Sequence, residues 1–135
     1  MKELKAQLKE INSIREDLLF YYKGFVNKFT DLKKLPGIEL DKESKKLYIL
    51  GFRVTTSIHL PEGWIESKTA VLKISIRDET LYYEFDTSGK YIHEVYLENE
   101  ESKELIRLDD QCWETTHQSE ELLKYILKDI ISLIG

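Results

Sequence analysis

Cysteine occurs once in 135 residues, at Cys112. That excludes an internal disulfide and every cysteine-based zinc cluster, and it fits a reducing compartment, so a cytoplasmic location is expected. Histidine occurs three times, on three separate predicted elements, so no spacing builds a triad. The chain contains no glycine-rich phosphate loop, no nucleophile elbow, no H-E-x-x-H and no Walker pattern. The longest apolar stretch, Leu122 to Ile134, is broken by Lys124, Lys128 and Asp129 and is too short to span a bilayer. Met1 to Asn12 is charged throughout and lacks the apolar core of a signal peptide.

The length is that of one domain, and a chain of this size buries enough surface to need no staple. Lysine outnumbers arginine sixteen to four and alanine appears twice. This bias accompanies AT-rich codons and points to a low-GC bacterium or its phage. Charge is unevenly spread. Residues 1–77 carry a net +5, residues 78–114 a net −9 and the remainder −1. An acidic second half argues against a nucleic-acid face there and suits a basic partner or a solvated sheet surface.

Spacing predicts the elements. Leu4, Leu8, Ile11, Leu18, Tyr22, Phe25, Phe29 and Leu32 recur at alternating intervals of three and four, with Arg15 the interruption. A helix over 1–34 would be roughly 45 Å long, against a globule roughly 35–40 Å across. It must bend, with Gly24 the expected place, or overhang. "KKLPG" ends it.

A sheet over 37–110 follows: a short strand at Ile38 to Leu40, a long one over Leu47 to Leu60 with a bulge expected at Gly51, then strands beginning near Ala70, Leu81, Tyr91 and Leu105. Loops this short force antiparallel pairing. The fold class is α+β: a meander of five to six strands, with the long first helix and a C-terminal helix over 116–134 packed on one face. Nine of the thirteen residues from Leu122 to Ile134 are apolar. The last helix therefore needs a second neighbour besides the sheet, most simply the first helix.

"RLDDQCWETTHQ", Arg107 to Gln118, gathers candidate ligands. Asp109, Asp110, Glu114 and His117, with Cys112, have the chemistry of a metal or acid–base cluster, but the spacing fits no zinc pattern. The simpler reading is a strand-to-helix junction with Thr115 and Gln118 as a capping pair.

The outward sheet face sets Lys73 and Arg77 beside Glu84 and Asp86, then Glu94, Glu98 and Arg107, pairs worth a few tenths of a kcal/mol each. Tyr82 and Tyr96 stand among them.

The resulting expectation is a non-enzymatic protein-binding module of the inhibitor, immunity or adaptor kind, without cofactor, nucleic-acid or membrane partner. Its contact residues are Tyr82, Glu84, Glu94, Tyr96 and Glu98. Leu18, Tyr22, Phe25 and Phe29 serve helix packing or a homodimer. Two other classes compete: a small metal-dependent hydrolase or nuclease-type toxin using the junction, and a small-molecule binder with a cavity lined by Tyr83, Phe85, His93 and Leu127.

Overall fold

The computed structural model describes the backbone of residues 1–44, 46–88, 90–98, 103–108, 113–114 and 119–135, and the side chains of 1–44, 46–88 and 123–135. A long helix, α1 (Lys2–Thr30), runs into a 3₁₀ turn (Asp31–Lys34). Strands β1 (Ile38–Asp41), β2 (Lys46–Ile49) and β3 (Phe52–His59) follow, then a single helical turn, α2 (Trp64–Ser67). Strands β4 (Thr69–Ile76), β5 (Glu79–Asp86), β6 (Lys90–Glu98), β7 (Lys103–Leu108) and β8 (Trp113–Glu114) lead to α3 (Ser119–Ile134). The sheet runs β1 to β7 in chain order, every neighbour antiparallel, with β8 pairing the start of β6. The α+β meander flanked by two helices is thus the architecture, with more strands than the expected five to six.

One extra strand comes from the segment Leu47 to Leu60, which is a hairpin and not one bulged strand. Leu50 and Gly51 form its two-residue loop with φ of 51° and 84°, the pair of positive values that a type I′ turn requires. The turn resets the alternation. Leu47, Ile49 and Val54 face the core, whereas Tyr48 is half-exposed and Leu50 is 56% exposed. In the uninterrupted strand Tyr48 and Leu50 would have shared the core face with Val54.

Strands β4 and β5 alternate cleanly. Ala70, Leu72, Ile74 and Ile76 are buried opposite Phe85, Tyr83, Leu81 and Glu79. The pairing of Ala70 with Phe85, both fully buried, sets a small side chain against a large aromatic one.

Both helices cover this one face. Helix α1 packs on β3, β4 and α3. It buries Ile14, Leu18, Phe25 and Phe29, the two phenylalanines stacked 5.6 Å apart. Ile14 takes the buried place that the heptad pattern assigned to Arg15, which is exposed. Helix α3 buries Leu123, Ile126 and Ile130. Its second neighbour is α1, as its apolar excess requires.

The length conflict in α1 is resolved by overhang. Residues 1–10 are all exposed, Leu4 by 58% and Leu8 by 65%. The helix continues unbroken through Gly24. No proline or inserted group interrupts the ladder, and a lone glycine only lowers helix propensity.

Gly24 and Gly51 make a controlled pair. A Cβ added at either would meet nothing within 4 Å, so backbone conformation alone decides. Gly24→Ala is expected to raise stability by about 0.5–1 kcal/mol. Gly51→Ala, at φ +84°, is expected to lower it by about 1–2 kcal/mol. Urea unfolding with an unchanged slope checks both signs.

Candidate functional site

Among the described residues, no helix covers the face of the sheet away from α1 and α3. Thr55, Ser57 and His59 on β3 are exposed, and Val71, Lys73 and Ser75 on β4 are half-exposed. So are Thr80, Tyr82, Glu84 and Asp86 on β5. Strand register runs a row across five strands: Ser57, Lys73, Tyr82, Tyr96 and Leu105 are successive Cα partners. The next row runs Thr55, Ser75, Thr80, Glu98 and Lys103. Tyr82 and Tyr96, fourteen residues apart by way of one hairpin, are therefore directly paired. The Lys73 ammonium lies 5.3 Å from the Tyr82 ring centroid, a cation–π contact. Ser75 and Thr80 share a hydroxyl–hydroxyl hydrogen bond of 3.1 Å.

Two of the expected charge pairs are replaced. Lys73 meets an aromatic face across the ladder, and Glu84 has Val71 as its partner on β4. Arg77 leaves the ladder altogether. It occupies the β4–β5 turn with φ +53°. Its Nη2 donates to the Leu133 carbonyl near the end of α3, and its guanidinium lies 4.8 Å from the Phe52 ring centroid. Carbonyls in the last turn of a helix lack internal donors and attract cations, so Arg77 ties α3 to the sheet.

Of the five expected contact residues, the side chains of Tyr82 and Glu84 are described and both sit on the uncovered face. The side chains of Glu94, Tyr96 and Glu98 lie outside the described residues. Their backbone register is defined: Glu94 pairs with Leu108, Tyr96 with Tyr82 and Leu105, Glu98 with Thr80 and Lys103. Glu84 faces a register shift in β6, where Tyr83 pairs with Val95 but Phe85 pairs with Tyr91. Among the four helix residues, Leu18, Phe25 and Phe29 are 0–3% exposed inside the chain's own core, with half-buried Tyr22 against them.

The junction between β7 and α3 lies mostly outside the described residues, including Asp109, Asp110, Cys112 and His117. Trp113 and Glu114 form β8, pairing with Tyr91 and Lys90. Among the described residues no group of three His, Cys, Asp or Glu side chains could hold a metal, and no helix is long and apolar enough to cross a membrane.

The expected small-molecule lining is dispersed. Tyr83 and Phe85 are 3% and 0% exposed in the core, where the Tyr83 hydroxyl donates to Asp129 Oδ2 at 2.6 Å. The His93 side chain lies outside the described residues. Leu127 borders a different recess, one without sequence warning. Where the 3₁₀ turn runs beside the first half of α3, a cleft of about 450 Å³ opens over Leu32, Leu35, Leu123 and Leu127. Lys28, Lys34 and Lys124 rim it with Asp31. The cleft joins segments some ninety residues apart, beyond the reach of any local pattern; the lysines of "KKLPG" were its only signal.

Asp41 titrates below the usual carboxylate range. The Ser44 hydroxyl donates to its Oδ2 at 2.6 Å, and the Glu43 N–H donates to Oδ1 at 3.1 Å. Both bonds close the β1–β2 turn, so the shift belongs to local structure. Its folded value is depressed, so its contribution is complete above the ordinary aspartate value and fades as pH falls through the lowered one. Ser44→Ala should move the Asp41 midpoint up toward the ordinary value in a carbon-detected NMR titration.

No family model, no curated protein and no solved structure matches this chain.

The Tyr83–Asp129 bond bridges sheet and α3 at a charged acceptor. Tyr83→Phe is expected to cost about 1–3 kcal/mol, read by thermal or urea unfolding. A loss within error would remove this contact from the account of helix docking.

Proposed function

We propose that this chain is a non-enzymatic protein-binding module whose contact surface is the uncovered sheet face around Tyr82. The observation that carries the reading is the register that pairs Tyr82 with Tyr96 in the middle of that face. Tyrosine gives a large contact area at low entropic cost and is enriched where proteins meet. Glu84 and the acid-rich segment 78–114 supply a field that favours a basic partner.

In this reading the protein acts as an inhibitor, immunity protein or adaptor in the cytoplasm of a low-GC bacterium or its phage. The lysine bias and the near-absence of cysteine support that setting. Any homodimer would use the overhanging turns of α1. There Leu4 and Leu8 are exposed, whereas Leu18, Phe25 and Phe29 are already committed to the chain's own core.

A photoreactive phenylalanine analogue at position 82 tests the surface, with the same residue at the exposed Glu43 as control. The expected result is one discrete protein adduct from position 82 and none from position 43. With that partner purified, Glu84→Lys should weaken binding at least about tenfold, about 1.4 kcal/mol, without shifting the melting temperature. Unchanged affinity, or equal labelling from both positions, would end the proposal.

A further inference from the structure

We infer that the cleft between the 3₁₀ turn and α3 is a binding site for a single-chain anionic amphiphile of the medium-chain carboxylate type. The inference is independent of the sheet-face reading.

The cleft has the two halves that such a molecule needs. Its floor is leucine from both walls: Leu32 in the 3₁₀ turn and Leu35 just after it, Leu123 and Leu127 from α3. Leu123 is 7% exposed and forms the bottom, while Leu35 stays 45% exposed at the edge. Leu35 is held extended at φ −84°, ψ 147°, the conformation that a following proline, here Pro36, favours. An apolar edge left that exposed beside a recess is surface that a ligand chain can cover.

The rim sets the sign of the head group. Among the described residues, three lysines face one aspartate around the opening, in a chain whose net charge is −5. Lys28 lies in the last turn of α1, where a cation complements the helix dipole. Lys124 lies in the second turn of α3, counting from Ser119, away from the helix end where a dipole favours a cation. An ammonium bordering apolar floor attracts a carboxylate more strongly than one in open water.

Size then separates the possible occupants. A docked helix needs anchors at i, i+4 and i+7 along a continuous groove. Among the described residues, the walls run from Lys28 to Leu35 on one side and from Leu123 to Leu127 on the other. A volume of about 450 Å³ falls within the range of small-molecule sites, roughly 300–1,000 Å³, and suits one chain with one charged end.

The test is methyl NMR on leucine-labelled protein, titrated with octanoate, decanoate and decylamine below their micellar concentrations. Decanoate should shift the methyls of Leu32, Leu35, Leu123 and Leu127 saturably at one site. Each added methylene should tighten binding by about threefold to fourfold, and decylamine, with the same tail and opposite charge, should bind at least about tenfold more weakly. Lys124→Glu should weaken decanoate about tenfold. Because Lys124 is exposed, the fold should survive, which the unperturbed spectrum of the other methyls verifies. Equal responses to decanoate and decylamine, shifts spread over the whole protein, or no chain-length dependence would overturn the proposal. So would an acidic amphipathic peptide that shifts these methyls where decanoate does not, since the cleft would then be a protein-docking groove.

Discussion

A seven-strand meander extended by β8 has two faces and the described residues form two long helices, so burial of one face under α1 and α3 sets the rest of the structure. Two helices side by side roof the layer of Leu72, Ile74, Leu81, Tyr83 and Phe85, and each also shields the other's flank. None is left for the opposite face. That face must be compatible with water, and its residues are accordingly Thr55, Ser57, Lys73, Ser75, Thr80 and Glu84. The same division explains why α3 tolerates so apolar a sequence: its sides are taken by sheet and helix, Leu123 and Leu127 line the cleft, and Ile131 is left 47% exposed.

Fixing α3 in place falls to polar contacts at two heights. Tyr83 reaches it from the middle of β5, and Arg77 reaches it from the β4–β5 turn. A positive φ is uncommon for a residue with a Cβ and costs of order 1 kcal/mol or more. At Arg77 the turn that imposes it also delivers a guanidinium to a helix end that lacks donors, and lays it over Phe52. Local strain and long-range attachment are two results of one backbone geometry.

Much of this was legible from spacing. Alternation identified the buried faces of β4 and β5 residue by residue, because both strands are regular and one-sided. Loop length alone required antiparallel order. The apolar excess of α3 implied α1 as its second neighbour. Misreadings arose where two patterns coincide. A period-2 run cannot register a hairpin whose loop is Leu50–Gly51, since leucine in a positive-φ position is not a turn signal. A heptad stripe cannot tell Ile14 from Arg15 when the helix meets both a broad sheet and a second helix. Of the expected contact residues, Tyr82 and Glu84 were placed by parity on the uncovered face. The cleft was invisible, because its walls come from opposite ends of the chain and its lysines have an ordinary role at a helix terminus.

The contact between α1 and α3 also orders events during synthesis. The nascent chain exposes Leu18, Phe25 and Phe29 long before their cover exists. Strands β3 and β4 are complete once residue 76 has been added, and α1 can then dock on them. Its flank toward α3 stays open for about fifty more residues, until Leu123 to Ile130 emerge. At about 5–20 residues per second that interval is roughly 3–10 s, during which the cover that α3 gives this flank has not yet been made. The lysine-rimmed cleft, built from both ends, comes into being only when that interval closes.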